Sequence, residues 1–294
     1  MLPTISIITP SYNQGRFIER TVQSVVTQAV PGLEYVVMDG GSTDETLEIL
    51  RRYEQHLRWT SEKDRGHSHA INKGICRTTG PIIGWLNSDD IYYPDALQTV
   101  LAYFDAHRDV EVVYGDAHHI DEHDSFIEDY PTQDWDFRRL ADICFISQPA
   151  TFVRRSVFER HGLLDEGLRY SMDYDLWLRL GVRGVRFAHL PRVLAATRLH
   201  ADAFTIAHKV RVHASINDIT RRHLGRTPDR WLLNYAHAVT EQGDAPRSIP
   251  RLVAVAVWAA LRWNRRISAD MLATLARWLV ADALRPLRRR RRPV

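Results

Sequence analysis

Cysteine is almost missing from this chain: Cys76 and Cys144 are the only two in 294 residues. Two cannot build a disulfide framework, their spacing is no zinc motif, and such scarcity fits a reducing compartment. Long apolar runs are missing too. The longest, Leu252 to Leu261, is ten residues, whereas a spanning helix needs about 18 or more. The N-terminus has no basic segment followed by an apolar stretch and a cleavage site, so no secretory signal is read there. A cytoplasmic location is the expectation. No Gly-x-x-x-x-Gly-Lys-Ser/Thr loop occurs, which argues against a P-loop NTPase, and Gly40-Gly41 completes no Gly-x-Gly-x-x-Gly fingerprint, which argues against a dinucleotide dehydrogenase. Internal repeats and low-complexity stretches are also lacking.

What is present is an uneven charge. The net charge of +3 divides into 21 Lys/Arg against 29 Asp/Glu in residues 1 to 200, and 18 against 7 in residues 201 to 294. The larger part is suited to holding a cation, and the smaller part seeks anions.

The first 115 residues alternate β-branched runs with helical patterns, the form of βαβ units and a mainly parallel sheet. Strands are expected at Thr4 to Thr9, Leu33 to Met38, Leu57 to Ser61, Ile82 to Leu86 and Val110 to Gly115. Helices are expected at Gly15 to Ala29, at Asp44 to Gln55 with Ser42 or Thr43 as its cap, near His67 to Gly74, and at Pro94 to His107. From residue 116 the pattern reads as a polar loop, in which His118, His119, Asp121, Glu122, His123 and Asp124 belong to a mobile surface segment more than to a metal cluster. It sharpens again at Phe152 to Gly162 and Met172 to Gly181, and after His200 it is helical and Arg-rich. The expected class is α/β with a C-terminal helical extension: residues 1–204 catalytic, with a donor half to about 115 and an acceptor half from 116, and residues 205–294 helical and basic.

In open α/β sheets ligands collect at the carboxyl ends of strands. Four such ends carry polar groups: Pro10-Ser11-Tyr12-Asn13, Asp39-Gly40-Gly41, Glu62 to Gly66, and Asn87-Ser88-Asp89-Asp90. Singly, each reads as a turn or a helix cap. Together they describe a ligand site. Acidic groups on such a turn suit Mg²⁺ or Mn²⁺, which take oxygen ligands and can bridge a carboxylate to a diphosphate.

In order and spacing these segments resemble family 2 glycosyltransferases of the GT-A fold. The residues that carry the resemblance are Ile7 to Asn13, Asp39 to Thr46, Asp64-Arg65-Gly66 with Ala70, Asn72 and Gly74, Gly84 to Asp90, Gln148 to Phe152, Gly162 with Asp165, and Met172 to Arg179. The resemblance implies a nucleotide-diphosphate-sugar donor, a UDP-sugar first among them, a divalent cation (Mn²⁺ or Mg²⁺), and inverting transfer to a saccharide or lipid-linked acceptor in cell-surface polysaccharide assembly. By resemblance, Pro10, Ser11 and Tyr12 line the nucleotide pocket, Asp39 bonds the base, Asp64 and Gly66 close over base or ribose, and Asn72 belongs to the donor side. Asn87-Ser88-Asp89 takes the place of the family's Asp-x-Asp, Asp89 binds the metal, Asp90 contacts the donor sugar or supports the turn, and His200 completes the metal shell or touches the diphosphate. Asp173 falls where the family keeps its general base.

Two positions depart from the family pattern. Asn87 removes a charge from the metal turn, and Met172 stands where many members have an acid. They keep a catalytically silent binding or scaffold protein as the alternative, with a nucleotidyltransferase behind it. Trp85 and Trp177 read as core. Asp175 lies about 200° around the helix from Asp173 and reads as structural. The basic end beside Trp258, Trp263 and Trp278, closing on Arg285 and Arg288 to Arg292, suits an anionic membrane surface at the inner face of the cell membrane. A solvated helical cap is the plainer reading, and no nucleic-acid-reading motif is found.

Overall fold

The structure, a computed structural model, describes residues 4–200, 207–242 and 248–289. Contacts divide the chain into two units, Met1–Leu140 with Cys144–Ile206, and Ala141–Ile143 with Ala207–Val294. The boundary expected between residues 204 and 205 lies outside the described residues.

The first unit opens with β1 (Ile5–Ser11), buried at every position. Pro10 is tolerated in this central strand because it lies past β1's last pairing partner on β4, Trp85 opposite Ile8, where a missing N–H leaves no partner unbonded on that side. Helix α1 (Gly15–Val26) buries Phe17, Ile18, Thr21, Val22 and Val25, spaced to form one apolar face, and it stops three residues short of Ala29. Then follow β2 (Leu33–Asp39) and α2 (Thr46–Arg52). The α2 helix is shorter than the pattern suggests, and neither Ser42 nor Thr43 caps it. Asp44 does: its Oδ1 accepts from Thr46 N–H at 3.1 Å and its Oδ2 from Gly15 N–H at 2.9 Å, so one carboxylate serves two helix starts. Ser42 is drawn to Asp39 instead.

The chain continues through β3 (Arg58–Ser61), α3 (His67–Cys76), β4 (Ile82–Trp85), β5 (Ile91–Tyr92), α4 (Ala96–Ala106), β6 (Val112–Ile120), β7 (Phe126–Asp129), α5 (Phe137–Asp142), β8 (Thr151–Arg154), α6 (Arg155–His161), α7 (Met172–Val182) and β9 (Phe187–Arg198). The strands form one sheet in the order β3-β2-β1-β4-β8-β6-β9-β5, with β7 added to β6. Strands β3, β2, β1 and β4 are parallel, and β8 runs antiparallel to both β4 and β6.

The stretch after residue 115 is only in part the loop that its polarity suggested, with a turn at 121–125 and irregular chain at 130–136. Strand β6 runs on to Ile120 and turns back into β7. Ala117 and Ile120 face inward, and His118 and His119 point to partners: Tyr93 Oη lies 2.9 Å from His118 Nδ1, and Glu128 Oε1 lies 3.1 Å from His119 Nδ1.

The second unit contains α8 (Lys209–Leu224), α9 (Asp229–Glu241), α10 (Ile249–Asn264) and α11 (Ala269–Arg289). Its core joins Leu232, Ala236, Leu252, Ala256, Ala260, Trp263, Met271 and Leu275. No helix among the described residues is long and apolar enough to cross a membrane. Arg290 to Arg292, and the side chains of Arg285, Arg288 and Arg289, lie outside the described residues.

Helix α3 presses on β1 through Gly74, where an added Cβ would lie 2.4 Å from Ile8 Cγ2. Exposed helix-interior Gly→Ala changes usually stabilise by about 1 kcal/mol. Here Gly74→Ala is expected to do the opposite and cost about 1–3 kcal/mol of overpacking, read from the urea midpoint at unchanged m-value.

Candidate functional site

The parallel register brings three strand ends to one level: Ser11 is opposite Asp39, and Asp39 is opposite Ser61. Beyond them the chain leaves the sheet, and a cleft of ≈ 660 Å³ opens, within the usual size range for a small-molecule site. Pro10, Ser11, Tyr12, Asp64, Gly66, Asn87, Ser88, Asp89 and Asp90 all border it. A smaller cavity of ≈ 440 Å³ beside Arg58, Trp59 and Arg77, at the outer edge of β3, holds none of the expected site residues.

Tyr12 stands 61% exposed at the rim. Between Tyr12 and Asp64 lies bare Gly40: a Cβ there would meet Asp64 Oδ2 at 3.0 Å and Tyr12 Cδ2 at 3.4 Å. Asp64 accepts the Gly66 N–H at 2.8 Å. That bond curls the chain into α3 with Gly66 at φ +121°, a conformation that favours glycine.

Asp39 is not free to hydrogen-bond a base. It is fully buried, and its carboxylate accepts from Gly41 N–H at 3.0 Å, Ser42 N–H at 2.9 Å, Ser61 Oγ at 2.6 Å and the Ser42 hydroxyl. It shapes the loop and leaves the cleft wall to Tyr12 and Asp64. Asn72 is similarly spent inside the fold. Its amide bonds both the N–H and the carbonyl of Leu164 and reaches Glu166 Oε1 at 3.1 Å.

The Asn87–Asp90 turn separates two aspartates by environment. Asp90 is buried, with Oδ1 accepting from Arg198 N–H at 3.0 Å and Oδ2 from Asn87 Nδ2 at 3.1 Å. Burial first, and then the charge of Asp89, push its carboxyl well above the usual range. Although Asp90 borders the cleft, its oxygens face the turn and support it rather than point at a ligand. Asp89 keeps its carboxylate open to the cleft, and its Oδ2 lies 3.2 Å from His200 Nε2. His200 is held against the Phe17 ring at 4.8 Å, with Nδ1 buried and unpartnered, and Asn87 Oδ1 is likewise buried without a hydrogen bond.

Among the described residues no group of three or more His, Cys, Asp and Glu side chains could hold a metal ion alone. Asp89 with His200 is a two-donor pair, and Asn87 Oδ1 is a further oxygen on the same turn, beside His67. That set fits Mg²⁺ or Mn²⁺ drawing further oxygens from a bound diphosphate, since Mg²⁺ commonly takes one or two carboxylates plus phosphates. It does not fit an all-protein cage.

Asp173 is the second residue of α7, which follows Ser171 in the left-handed region at φ 56°. Trp177, one turn on and on the same face, stacks on Trp85 at 5.6 Å and 22°, which ties the start of α7 to the end of β4. Both tryptophans are core, and Asp175 is buried with Arg179 Nε at 3.9 Å. Asp173 is not on the wall of the main cleft. It is half-buried, close enough to His67, Cys144 and Tyr130 for its charge to act on each. Burial pushes its carboxyl up, opposed by the Tyr174 N–H and by His67. The Cys144 thiol is pushed up to about 12, by burial first and then by the charge of Asp173.

The motif reading missed His67, which borders the cleft among Asn87, Asp89, Asp173 and Asp64. It is open to the cleft yet surrounded by protein, and desolvation lowers its pKa. Glu166 was missed as well; it pairs with Arg65 across the rim. The only signal for His67 was its place next to Asp64-Arg65-Gly66. Nothing local pointed to Glu166.

A family model, Glycosyl transferase family 2, matches residues 6–162. An uncharacterized glycosyltransferase of Rickettsia prowazekii is 30% identical over 214 residues, 69% of this chain and 66% of that protein. Chondroitin synthase of Escherichia coli is 31% identical over 209 residues, 70% of this chain but only 30% of that protein. The chain thus spans less than two thirds of these relatives. Among solved structures, S. aureus TarS 1-349 in complex with UDP-GlcNAc superposes with a TM-score of 0.65 at 15% identity, covering 88% of this chain and 81% of that one. Mannosyltransferase PcManGT from Pyrobaculum calidifontis, in complex with GDP-Man and Mn²⁺, gives a TM-score of 0.55 at 20% identity over 98% and 83%. The fold is GT-A, and the chain belongs to glycosyl transferase family 2.

Proposed function

We propose that the chain is an inverting glycosyltransferase that moves a sugar from a nucleoside-diphosphate donor to a hydroxyl of a saccharide or lipid-linked acceptor. The observation that carries this reading is the pair of carboxylates whose charges both act on His67: Asp89, paired with His200 at the cleft, and Asp173, partly desolvated at the start of α7. A UDP-sugar is the first donor to test, because TarS was solved with UDP-GlcNAc; PcManGT with GDP-Man makes a GDP-sugar the second. Cell-surface polysaccharide assembly is the setting that suits such an acceptor, and the likeness to chondroitin synthase supports it.

Tyr12 and Asp64 would hold the nucleoside at the bare Gly40, where stacking on an aromatic ring contributes about 1–3 kcal/mol per base. Asp89 and His200, with Asn87, would hold Mn²⁺ or Mg²⁺; a cation bound there neutralises charge on the departing diphosphate. Asp173 would accept the acceptor's O–H proton as that oxygen forms its bond to the anomeric carbon. The bond from that carbon to the diphosphate oxygen breaks with its electron pair leaving on the nucleoside diphosphate. A carboxyl raised above its ordinary range is a stronger base for this step.

The basic helices are proposed to rest on an anionic membrane surface, which suits a lipid-linked acceptor and a peripheral place on the inner face. Helix α11 is apolar on two faces. Met271 and Leu275 enter the unit's core, while Leu272, Leu279 and Val280 are 52%, 42% and 59% exposed. On α10, Trp258 is exposed too, with Arg251 and Arg262 on the same side at helical spacing. Residues 248–294 hold 11 Lys/Arg against 2 Asp/Glu. A second copy would set like charge against like charge, which favours an anionic lipid surface as the occupant.

Four measurements test these readings. Slow hydrolysis of UDP- or GDP-sugars in Mn²⁺, abolished by Asp173→Asn, is expected; inertness towards every common nucleotide-sugar would favour the silent scaffold. The acid limb of kcat/KM should fall above the ordinary carboxylate range. A carboxyl with a raised folded pKa is held less favourably once ionised, so its contribution to stability is lost as pH rises through that pKa; Asp173→Asn should therefore raise Tm at neutral pH while removing activity. Sedimentation with phosphatidylglycerol vesicles should drop at least about tenfold for Leu279→Glu with Val280→Glu, given about 2.5–3.5 kcal/mol per charge placed in an apolar membrane site. Unchanged sedimentation would overturn the membrane reading.

A further inference from the structure

Arg198 is the one arginine whose side chain is fully buried among the described ion pairs, at 0% exposure. It ends β9, with its backbone opposite Ile120 at the end of β6, and it grips two turns at once. Towards the Asn87–Asp90 turn, its N–H donates to Asp90 Oδ1 at 3.0 Å and its Nε donates to the Asp89 carbonyl at 2.8 Å. Towards the β6–β7 turn, its Nη1 donates to the Asp121 carbonyl at 2.8 Å and pairs with Asp124. Its guanidinium lies over the Phe17 ring at 5.1 Å. Two residues on, His200 reaches the Asp89 carboxylate. One strand end therefore holds Asp89 by its main chain and by its side chain.

A buried guanidinium is tolerated only where a carboxylate and further acceptors surround it, and the β6–β7 turn supplies them. The planar fork of arginine can span acceptors on opposite sides, whereas a lysine ammonium is a single point that cannot. The arrangement also fixes a direction of influence. With Asp89's carbonyl bonded to Arg198, the backbone that carries its carboxylate is held within reach of His200.

We propose that Arg198 is a positioning residue: it clamps the β6–β7 turn to the Asp89 turn and so sets how tightly the Asp89–His200 pair holds a divalent cation. This rests on the metal reading above, and the test separates the two. Mn²⁺ is titrated by electron paramagnetic resonance into the full chain with UDP present, for wild type, Arg198→Lys and Arg20→Lys. Arg20 is a control for the turn itself, because it bonds Asp124 and the Glu122 carbonyl at 3.0 Å each and, among the described hydrogen bonds and ion pairs, has none with Asp89. Arg198→Lys is expected to weaken Mn²⁺ about 10- to 100-fold, as loss of a group that orients a ligand does, and Arg20→Lys by less than about twofold. Wild-type affinity in Arg198→Lys, or equal weakening in both variants, overturns the proposal. If Arg198→Lys does not fold by circular dichroism, Asp124→Asn carries the test. It removes the clamp's charge while keeping its shape, so a several-fold loss of Mn²⁺ is expected and wild-type affinity overturns the proposal. Wild-type protein that takes up no Mn²⁺ overturns the metal reading, and this proposal with it.

Discussion

A buried carboxylate met by hydrogen-bond donors, with no ion pair among the described residues, ties together the loops after β1, β2 and β3. Asp39 lies at the end of β2 with no access to water, and a carboxylate there is tolerable only if its lone pairs are met. Meeting them recruits the Gly41 and Ser42 amides, the Ser42 hydroxyl and the Ser61 hydroxyl. Ser42 Oγ in turn accepts the Asn13 N–H at 2.7 Å. The loops after β1, β2 and β3 are thereby tied through one residue. Tyr12, next to Asn13, gains its place at the rim from a hydrogen-bond network that it does not join.

Four aspartates near the cleft show how surroundings divide one residue type among different tasks. Asp39 is saturated by hydrogen bonds and shapes backbone. Asp90 is buried behind the turn and braces it. Asp89 faces the cleft beside His200, and Asp173 is partly desolvated with only weak support from its own helix start. No difference in side-chain chemistry separates them. Burial and the number of donors do.

The same division explains what could be read from the linear sequence. The α/β alternation was legible because β1, β2 and β4 are apolar runs bounded by turn residues and α1 has a clear apolar face. The four strand ends converge as their polar residues suggested. The surroundings of Asp39 and Asn72 were not legible, because whether a polar side chain faces a ligand or a neighbouring loop depends on residues far away: Ser61 for Asp39 and Leu164 for Asn72. For Asp90 the sequence left two readings, and its bond to Arg198 favours the one in which it supports the turn. The β6–β7 hairpin was hidden because His118 and His119 read as loop yet belong to a strand with inward Ala117 and Ile120, while Asp121 to Asp124 do form its turn. His67 carried only a positional hint, since its importance comes from Asp173, more than a hundred residues away.

Strand β9 is the last of the sheet in sequence, yet it sits inside it, between β6 and β5. During synthesis the sheet therefore stays open until residues 187–198 have left the ribosome. Until then the flank of β6 that β9 will cover presents unpaired backbone next to the buried Val112, Val113 and Tyr114, the kind of edge that recruits other chains. A chain broken off before β9 is thus worse than incomplete. It lacks the closing piece of its own sheet, and its fate is decided by how quickly quality control reaches it.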